Sequence, residues 1–535
     1  MGDTGTGSLH RSMNDSEALS LIRQAVLEIA PRRAKESDEV DLDSEIADLR
    51  LDSISLMELV CCLEEKANRS FRDEELAKVT HVKDLAALVR GEQVDGMPGV
   101  RGRLDRSKAT HSVAAIASGT TAREEGFDAK WSDPLLWPEL KEFEDRLSAI
   151  EKIGINPYFM VNEGVAGDTI VANGQELINF SSYNYLGFSG DARVNADVER
   201  ALQRYGTSVS ASRIASGQRP LHVELEQALA RAHGVEDALV FTAGHATNVS
   251  TIGHLLDPQD LVLHAELIHD SVLQGSKLAG AARHSFRSDD PEDLEAKLRK
   301  LRHHYAKTLI VIEGVYSMDG HVSDLPVFLQ LKEKYGCLLM VDEAHSFGVL
   351  GATGRGLGEH FGIDGTRVDL WMGTLSKSLA SCGGWIGGSS RLVNYLRYTT
   401  PGFVYSAGIS PPNGQAALSA LRYMREEPHR VEHLQANARF FHDILVERGI
   451  DTGLAEGVSA IVPCMIGDPE HAMRVSQQLL ESGINVQPLV YPAVAPDAAR
   501  LRFFVSTLHT EDQLMQTAEI LCETLASVSQ ARSFS

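Results

Sequence analysis

Asp342 and Lys377 lie 35 residues apart, and each closely follows an apolar run, "CLLMVDEAHS" and "VDLWMGTLSKSLASCGG". Lys377 is flanked by Thr374, Ser376 and Ser378 and precedes Gly383–Gly384. Small hydroxyls and glycines suit the neighbourhood of a phosphate better than a charged helix face. An amine and a carboxylate at the ends of neighbouring strands are the pair that a pyridoxal phosphate site requires. The amine forms a Schiff base, and the carboxylate keeps the pyridine nitrogen protonated so that the ring accepts electrons. A third piece is "FTAGHATN" at 241–248, a strand, then Ala243-Gly244-His245, then a helix start. Helix N-terminal amides there favour an anion. Plainer readings stand beside this one: Asp342 as a helix N-cap with His345 structural, and Lys377 as a solvated charge. Three others fit worse. The first glycine of a GxxxxGK loop is absent, no SDN or KTG accompanies Thr374-x-x-Lys377, and Asp342, Glu343 and His345 lack the spaced partners of a metal sphere.

The elements that must carry these residues follow from hydrophobic periodicity. "ALVFTAG", "DLVLHAE", "TLIVIEGVYS" and "CLLMVDEAHS" are short apolar runs ending in small or polar residues. "LHVELEQALARAHG" and "PEDLEAKLRKLRHH" between them have helical spacing. This βαβ rhythm predicts a mostly parallel sheet, with ligands at the carboxyl ends of its strands. A smaller α+β part is expected after residue 420. At the front, Leu19, Ile22, Val26 and Ile29, then Ile54, Met57, Val60 and Leu63, mark amphipathic helices of a small helical unit over 16–91. Residues 92–133 exchange this periodicity for Gly, Ser, Thr and scattered charge. They read as a flexible linker of r.m.s. span roughly 35 Å. The catalytic-type domain is then 134–535, with a large part at about 190–420 and a small part at about 421–535.

The chain has 535 residues, 43% hydrophobic and 23% charged, with a formal charge of −23. That is ample for several packed units, and the acidity disfavours a nucleic-acid partner. The six cysteines form no CxxC pair and read as reduced, which with the absence of an apolar leader implies a cytoplasmic protein. Gly2 and Thr6 nominally fit a myristoylation pattern that nothing else supports. No apolar run is long enough for a transmembrane segment.

From about residue 155 onward the chain resembles the α-oxoamine synthases, the serine palmitoyltransferase-like branch of the fold-type I pyridoxal phosphate enzymes. The resemblance rests on "INFSSYNYLG", "SRIASGQRPLHVELEQALA", "FTAGHATN", "ELIHDSVLQG", "IEGVYSMDG", "VDEAHSFGVLGATGRG", "TLSKSLASCGGWIGG" and "LRFFVSTLHT", in the family's order. It implies an α/β transferase fold with a smaller C-terminal α+β domain. It implies Lys377 as Schiff-base lysine and Cα base, Asp342 at the pyridinium nitrogen, and His345 at the ring hydroxyl or acyl group. His269 would stack on the ring, with His264 as a second candidate, and Ser317 would lie near the ring hydroxyl. Gly244, His245 and Thr374 would lie on the phosphate side. Asn184 and Arg502 would face the substrate, with Arg500 as rival to Arg502. Asp270 stands where the family usually has Ala. A homodimer is implied, with Ser406 reaching toward the partner's cofactor phosphate.

Such chemistry consumes an acyl thioester, which gives residues 16–91 a meaning. "EIADLRLDSISLMELVCCLEE" resembles an acyl carrier protein, whose serine at the start of the second helix carries 4′-phosphopantetheine. The match makes Ser53 the attachment point and Ser55 an ordinary helical residue. Arg50 stands where Gly is usual and Ile54 where Leu is commonest. The implied reaction is decarboxylative condensation of an amino acid (glycine, alanine or serine) with an acyl thioester, giving an α-amino ketone. Implied partners are a phosphopantetheinyl transferase and an acyl-loading enzyme. Alternatives are an aminotransferase or lyase of the same fold, and a non-catalytic carrier or scaffold.

Overall fold

The computed structural model describes residues 14–29, 41–44, 46, 59, 62–63, 66–67, 71, 76, 79–92, 131–153, 156–288, 290–491 and 493–533. Arg50, Ser53, Ile54 and Ser55, most of the expected linker, and the Gly2/Thr6 pattern lie outside the described residues. The chain divides into two compact units, Met1–Ser132 and Asp133–Ser535.

In the first unit the helices Asp15–Ile29 and Val82–Arg90 set their apolar stripes together. Ile22 and Val26 pack with Leu85, Leu88, Leu59 and Leu63 in one small core. Asn14 and Glu17 cap the first helix reciprocally, each side chain accepting the other's backbone N–H. The second helix ends at Gly91, whose φ of 85° is a left-handed conformation that glycine adopts without a Cβ penalty.

The second unit is built on a seven-stranded sheet: β1 (Asp237–Phe241), β2 (Leu261–Ala265), β3 (Ala282–Phe286), β4 (Thr308–Glu313), β5 (Leu338–Asp342), β6 (Leu370–Thr374) and β7 (Gly384–Gly388). Their spatial order is β1-β7-β6-β5-β4-β2-β3. Only β7 runs against its neighbours, so the other six end on one edge. The strand period of two sorts side chains to opposite faces. Val240, Leu263, Ile310, Ile312, Leu339 and Val341 pack under helices Pro220–His233, Leu325–Tyr335 and Pro411–Glu426. Leu239, Val262, Val311, Met340 and Met372 pack under helices Gly244–Leu255, Asp270–Ala279 and Ser390–Thr399. Each such fully buried aliphatic side chain contributes roughly 1.5–3 kcal/mol. Counting two residues on from Val311, Met340 and Met372 gives Glu313, Asp342 and Thr374, the last residues of three adjacent strands. All three therefore emerge on the face roofed by Gly244–Leu255 and Asp270–Ala279.

The smaller part is not purely C-terminal. One small sheet pairs Ile461–Gly467, Ala499–Phe504 and Pro488–Leu489. Another joins Asn162–Glu163, Thr169–Ala172 and Gln175–Asn179 to Ile484–Asn485. Phe180 stacks on Phe441 at 5.4 Å and packs edge-on to Phe503, closing that core. No helix among the described residues is long and apolar enough to cross a membrane.

Candidate active site

Beyond the strand ends lies a cavity of about 310 Å³. Its wall includes Gly244, His245, His269, Ser317, Asp342, His345, Thr374, Lys377 and Arg502. The structure thus brings together every site residue expected in this unit except Asn184. Asn184 is buried, and its amide donates to the carbonyls of Ala166 and Ser189 while its oxygen accepts the Ser189 N–H. Its side chain holds a loop, and it lines an adjoining cavity rather than this one.

Asp342 closes β5 beside β4, and Glu313 is its register partner. Both carboxyls are buried. Asp342 accepts from Asn248 Nδ2 at 2.9 Å and from the Ala344 N–H at 3.0 Å. Burial, reinforced by the facing charge of Asp342, pushes the Glu313 carboxyl up to about 8. Glu313 accepts the N–H groups of His269, at 2.7 Å, and Ser317, at 3.2 Å. It positions two expected site residues at once. Sequence reasoning missed it, although the signal was the one that marked Asp342: a carboxylate closing an apolar strand.

His269 caps the helix Asp270–Ala279, its Nδ1 accepting the Ser271 N–H at 3.3 Å and facing Ser271 Oγ at 2.7 Å. An N–H can only donate, so Nδ1 is unprotonated and the ring proton sits on Nε2. Much of the ring stays open to the cavity, yet the packing around it lowers its pKa, offset in part by the charge of Asp342. Asn248 Nδ2 also donates to Ser271 Oγ, at 2.9 Å, linking Asp342 to His269 through two side chains. His264 is buried one residue before the end of β2, bonded to the Ala265 carbonyl and absent from the wall. Asp270 faces solvent and pairs with Gln274.

His345 is buried, and its Nδ1 lies 2.8 Å from the Tyr185 hydroxyl. Tyr185 has no other hydrogen-bond partner among the described residues, so its O–H donates to Nδ1 rather than being left buried and unpaired. Burial holds the phenol's pKa well above the ordinary value and that of the imidazole well below. His345 is therefore neutral, with its proton on Nε2.

Lys377 follows β6 in a tight turn in which Ala380 N–H donates to the Lys377 carbonyl at 3.0 Å and Ser381 N–H to that of Leu375 at 2.9 Å. Ala380 takes φ 52°, unusual without glycine. Ser378 Oγ anchors the turn on the Phe347 carbonyl at 2.8 Å. Burial brings the Lys377 amine down to about 8, against the opposing pull of Asp342 and Glu313. Its Nζ lies 5.5 Å from the Tyr183 ring centre. Arg502 donates to the Ser317 carbonyl at 2.7 Å and lies over Phe504 at 4.5 Å. Arg500, two residues back, bonds the carbonyls of Ala498 and Met318 and does not reach the wall.

The donor set fits pyridoxal phosphate. Ser317 Oγ and Asn248 Oδ1 are buried without a partner, as polar atoms awaiting a ligand would be. A Cβ at Gly244 would sit 2.9 Å from Thr374 Oγ1, so bare backbone opens the helix start, where first-turn N–H groups lack helical partners. Among the described residues no cluster of His, Cys, Asp and Glu could hold a metal.

The chain matches the aminotransferase class I and II family over residues 175–521, and the phosphopantetheine attachment site family over residues 20–89. It is 38% identical to 8-amino-7-oxononanoate synthase 1 of Bacillus subtilis over 362 residues, 68% of this chain and 91% of that protein. It is 39% identical to the 8-amino-7-oxononanoate synthase of Symbiobacterium thermophilum over 344 residues, 64% of this chain and 87% of that one. Among solved structures, a serine palmitoyltransferase variant from S. paucimobilis, with pyridoxal phosphate and myriocin bound, superposes with a TM-score of 0.70 at 29% identity. That superposition covers 73% of this chain and 99% of the other. Sphingomonas wittichii serine palmitoyltransferase superposes at 0.69 and 29%, covering 73% and 97%.

Proposed function

The chain belongs to the α-oxoamine synthases of the class I and II aminotransferase family, pyridoxal phosphate-dependent C-acyltransferases, here joined to a phosphopantetheine carrier domain; on that premise we propose how its residues divide the work. They condense a small amino acid with an acyl thioester carried on Ser53, with loss of CO2, to give an α-amino ketone. The observation that carries this reading is the convergence of Lys377, Asp342, His269 and Arg502 on one cavity.

When bound, pyridoxal phosphate supplies an electron sink for the carbanion at the amino acid's Cα. Asp342, held by Asn248, would keep the pyridine nitrogen protonated, and His269 would cover the ring face. The first turn of Gly244–Leu255, with Gly244, His245 and Thr374, would hold the phosphate, and Ser317 the ring hydroxyl. Lys377 would anchor the cofactor, and its freed amine would remove the Cα proton. An amine brought down to about 8 is matched to that task at neutral pH. Arg502 keeps its charge and offers a planar fork to the amino-acid carboxylate. His345, proton on Nε2, donates to the developing oxyanion of the acyl group or to the ring hydroxyl.

This reading includes two identical subunits in the cytoplasm. The loop presenting Ser406 beside Tyr405, which is 86% exposed, would reach the partner's phosphate site. A phosphopantetheinyl transferase would modify Ser53 and an acyl-loading enzyme would charge it. Tethering raises the donor's effective concentration toward the millimolar range.

The test is a panel of glycine, alanine and serine against carrier-loaded and coenzyme A thioesters, following CO2, free thiol and product mass. Keto-acid formation without thiol release would mark an aminotransferase instead. A purified protein that stays colourless with added cofactor would mark a scaffold. Intact mass after transferase treatment should rise in the wild type and the Ser55→Ala variant but not in Ser53→Ala.

A further inference from the structure

A second cavity, of about 500 Å³, adjoins the first and shares Tyr183, Ser376 and Lys377 with it. Its chemistry differs. The first holds carboxylates, imidazoles and a guanidinium, whereas among the described residues on the wall of the second Lys377 is the only charged side chain. The rest combines amides, hydroxyls and one thiol with the Tyr183 ring and the aliphatic side chains of Ala166, Ile170 and Ala380. The two reactants of a condensation must meet at Lys377, and the two cavities do. The zwitterionic amino acid belongs in the first, where Arg502 waits for its carboxylate. The second offers an anion no guanidinium, but offers an uncharged amide-bearing chain many hydrogen bonds.

Hydrogen-bond use within this wall separates structure from recognition. Asn179 donates to the Gly167 carbonyl and accepts from the Ser181 N–H and Asn485 Nδ2. Asn184, with both amide protons and one acceptor position engaged, holds the wall in place with it. The side-chain amides of Asn162 and Asn413 have no partner among the described residues and line the same cavity. Asn413 is fixed through its own backbone, its carbonyl accepting Ser381 Oγ at 2.6 Å and its N–H reaching Ser410 Oγ at 3.4 Å. A pre-positioned amide with both donor and acceptor free complements another amide.

We propose that this cavity is the donor-arm site: Asn413 and Asn162 bind the uncharged amides of a pantetheine-type acyl thioester and lead its carbonyl to Lys377. The inference rests on the condensation reading and names how that site takes its second substrate. Recognition falls on the arm common to carrier-bound and free thioesters, and phosphates stay outside the cavity.

The experiment is calorimetric binding of an S-alkyl pantetheine thioether, which cannot react, to the full-length holoenzyme and to Asn413→Leu, Asn162→Leu and the double variant. Amino-acid binding is read in parallel from the cofactor's absorbance. The expected result is a wild-type complex weakened about tenfold or more in the double variant, as two lost hydrogen bonds allow, with amino-acid affinity within twofold of wild type. Equal affinity in all variants, no binding to the wild type, or a matching loss of amino-acid affinity would overturn the assignment. Weakened thioether binding in an enzyme that releases neither CO2 nor thiol would retain this site and remove the condensation reading.

Discussion

The Lys377 amine is the group whose behaviour the structure predicts most directly. An ordinary lysine at 10.5 has roughly 3 in 10,000 neutral amines at pH 7; brought down to about 8, Lys377 has about one in ten. Its nucleophilic fraction at pH 7 is thus enriched about 300-fold. The assay is competitive acylation of the cofactor-free protein with a small anhydride across pH 6–11, with the Lys377 peptide quantified by mass against exposed lysines. Labelling should climb tenfold per pH unit only to about 8 and then level off. Two variants test the cause. Arg502 contributes a like charge that lowers the amine, so Arg502→Gln should move the midpoint up. Asp342 opposes that lowering, so Asp342→Asn should move it down. A profile still climbing at pH 10, or shifts of opposite sign, would refute the account of burial and neighbouring charge.

Further outcomes follow from the same geometry. The Glu313 carboxyl stays protonated in the fold up to about 8, while an unfolded glutamate releases its proton near 4.5. Its contribution is present below 4.5 and lost as pH rises to about 8, at up to about 1.4 kcal/mol per pH unit. Glu313→Gln should therefore flatten the fall of urea-unfolding stability between pH 5 and 8; an unchanged slope would place the proton elsewhere. Gly384→Ala would drive a Cβ to 2.7 Å from Gly244 Cα, so it should cost about 1–3 kcal/mol and lower cofactor affinity, read by Tm with and without cofactor. Arg213 and Glu226 form a buried ion pair, with Arg213 Nη2 at 3.0 Å from Glu226 Oε2. Arg213→Met should destabilise by about 3–5 kcal/mol in denaturant titration, because the buried carboxylate keeps only the Val240 N–H and the more distant Arg397.

Much of the site was legible because its residues close locally recognisable elements. Asp342 and Thr374 end strands written as apolar runs, and Gly244 opens a helix after another. The strands "ARHSF" and "GWIGG" were not legible. One is a polar edge, the other mostly glycine, and both are held by neighbours rather than by propensity. Ser53 stands on motif resemblance, its tethering role on the chemistry downstream.

The sequence by itself determined which residue types are present and on which face of a strand each falls, since the period of two is a local property. It could not determine which strands become neighbours. That Glu313 stands opposite Asp342, raising its own pKa, exists only once β4 lies beside β5. The choice between His269 and His264 was likewise made by the sheet edge, which one clears and the other does not. Arg502 and Arg500 share a strand face but lie roughly 7 Å apart along it, and only one reaches the cavity. Asn184, which the sequence offers as a ligand-side amide, has both amide protons and one acceptor position engaged by the packed loop. Non-local register and hydrogen-bond competition made these decisions, and both arise from the folded chain as a whole.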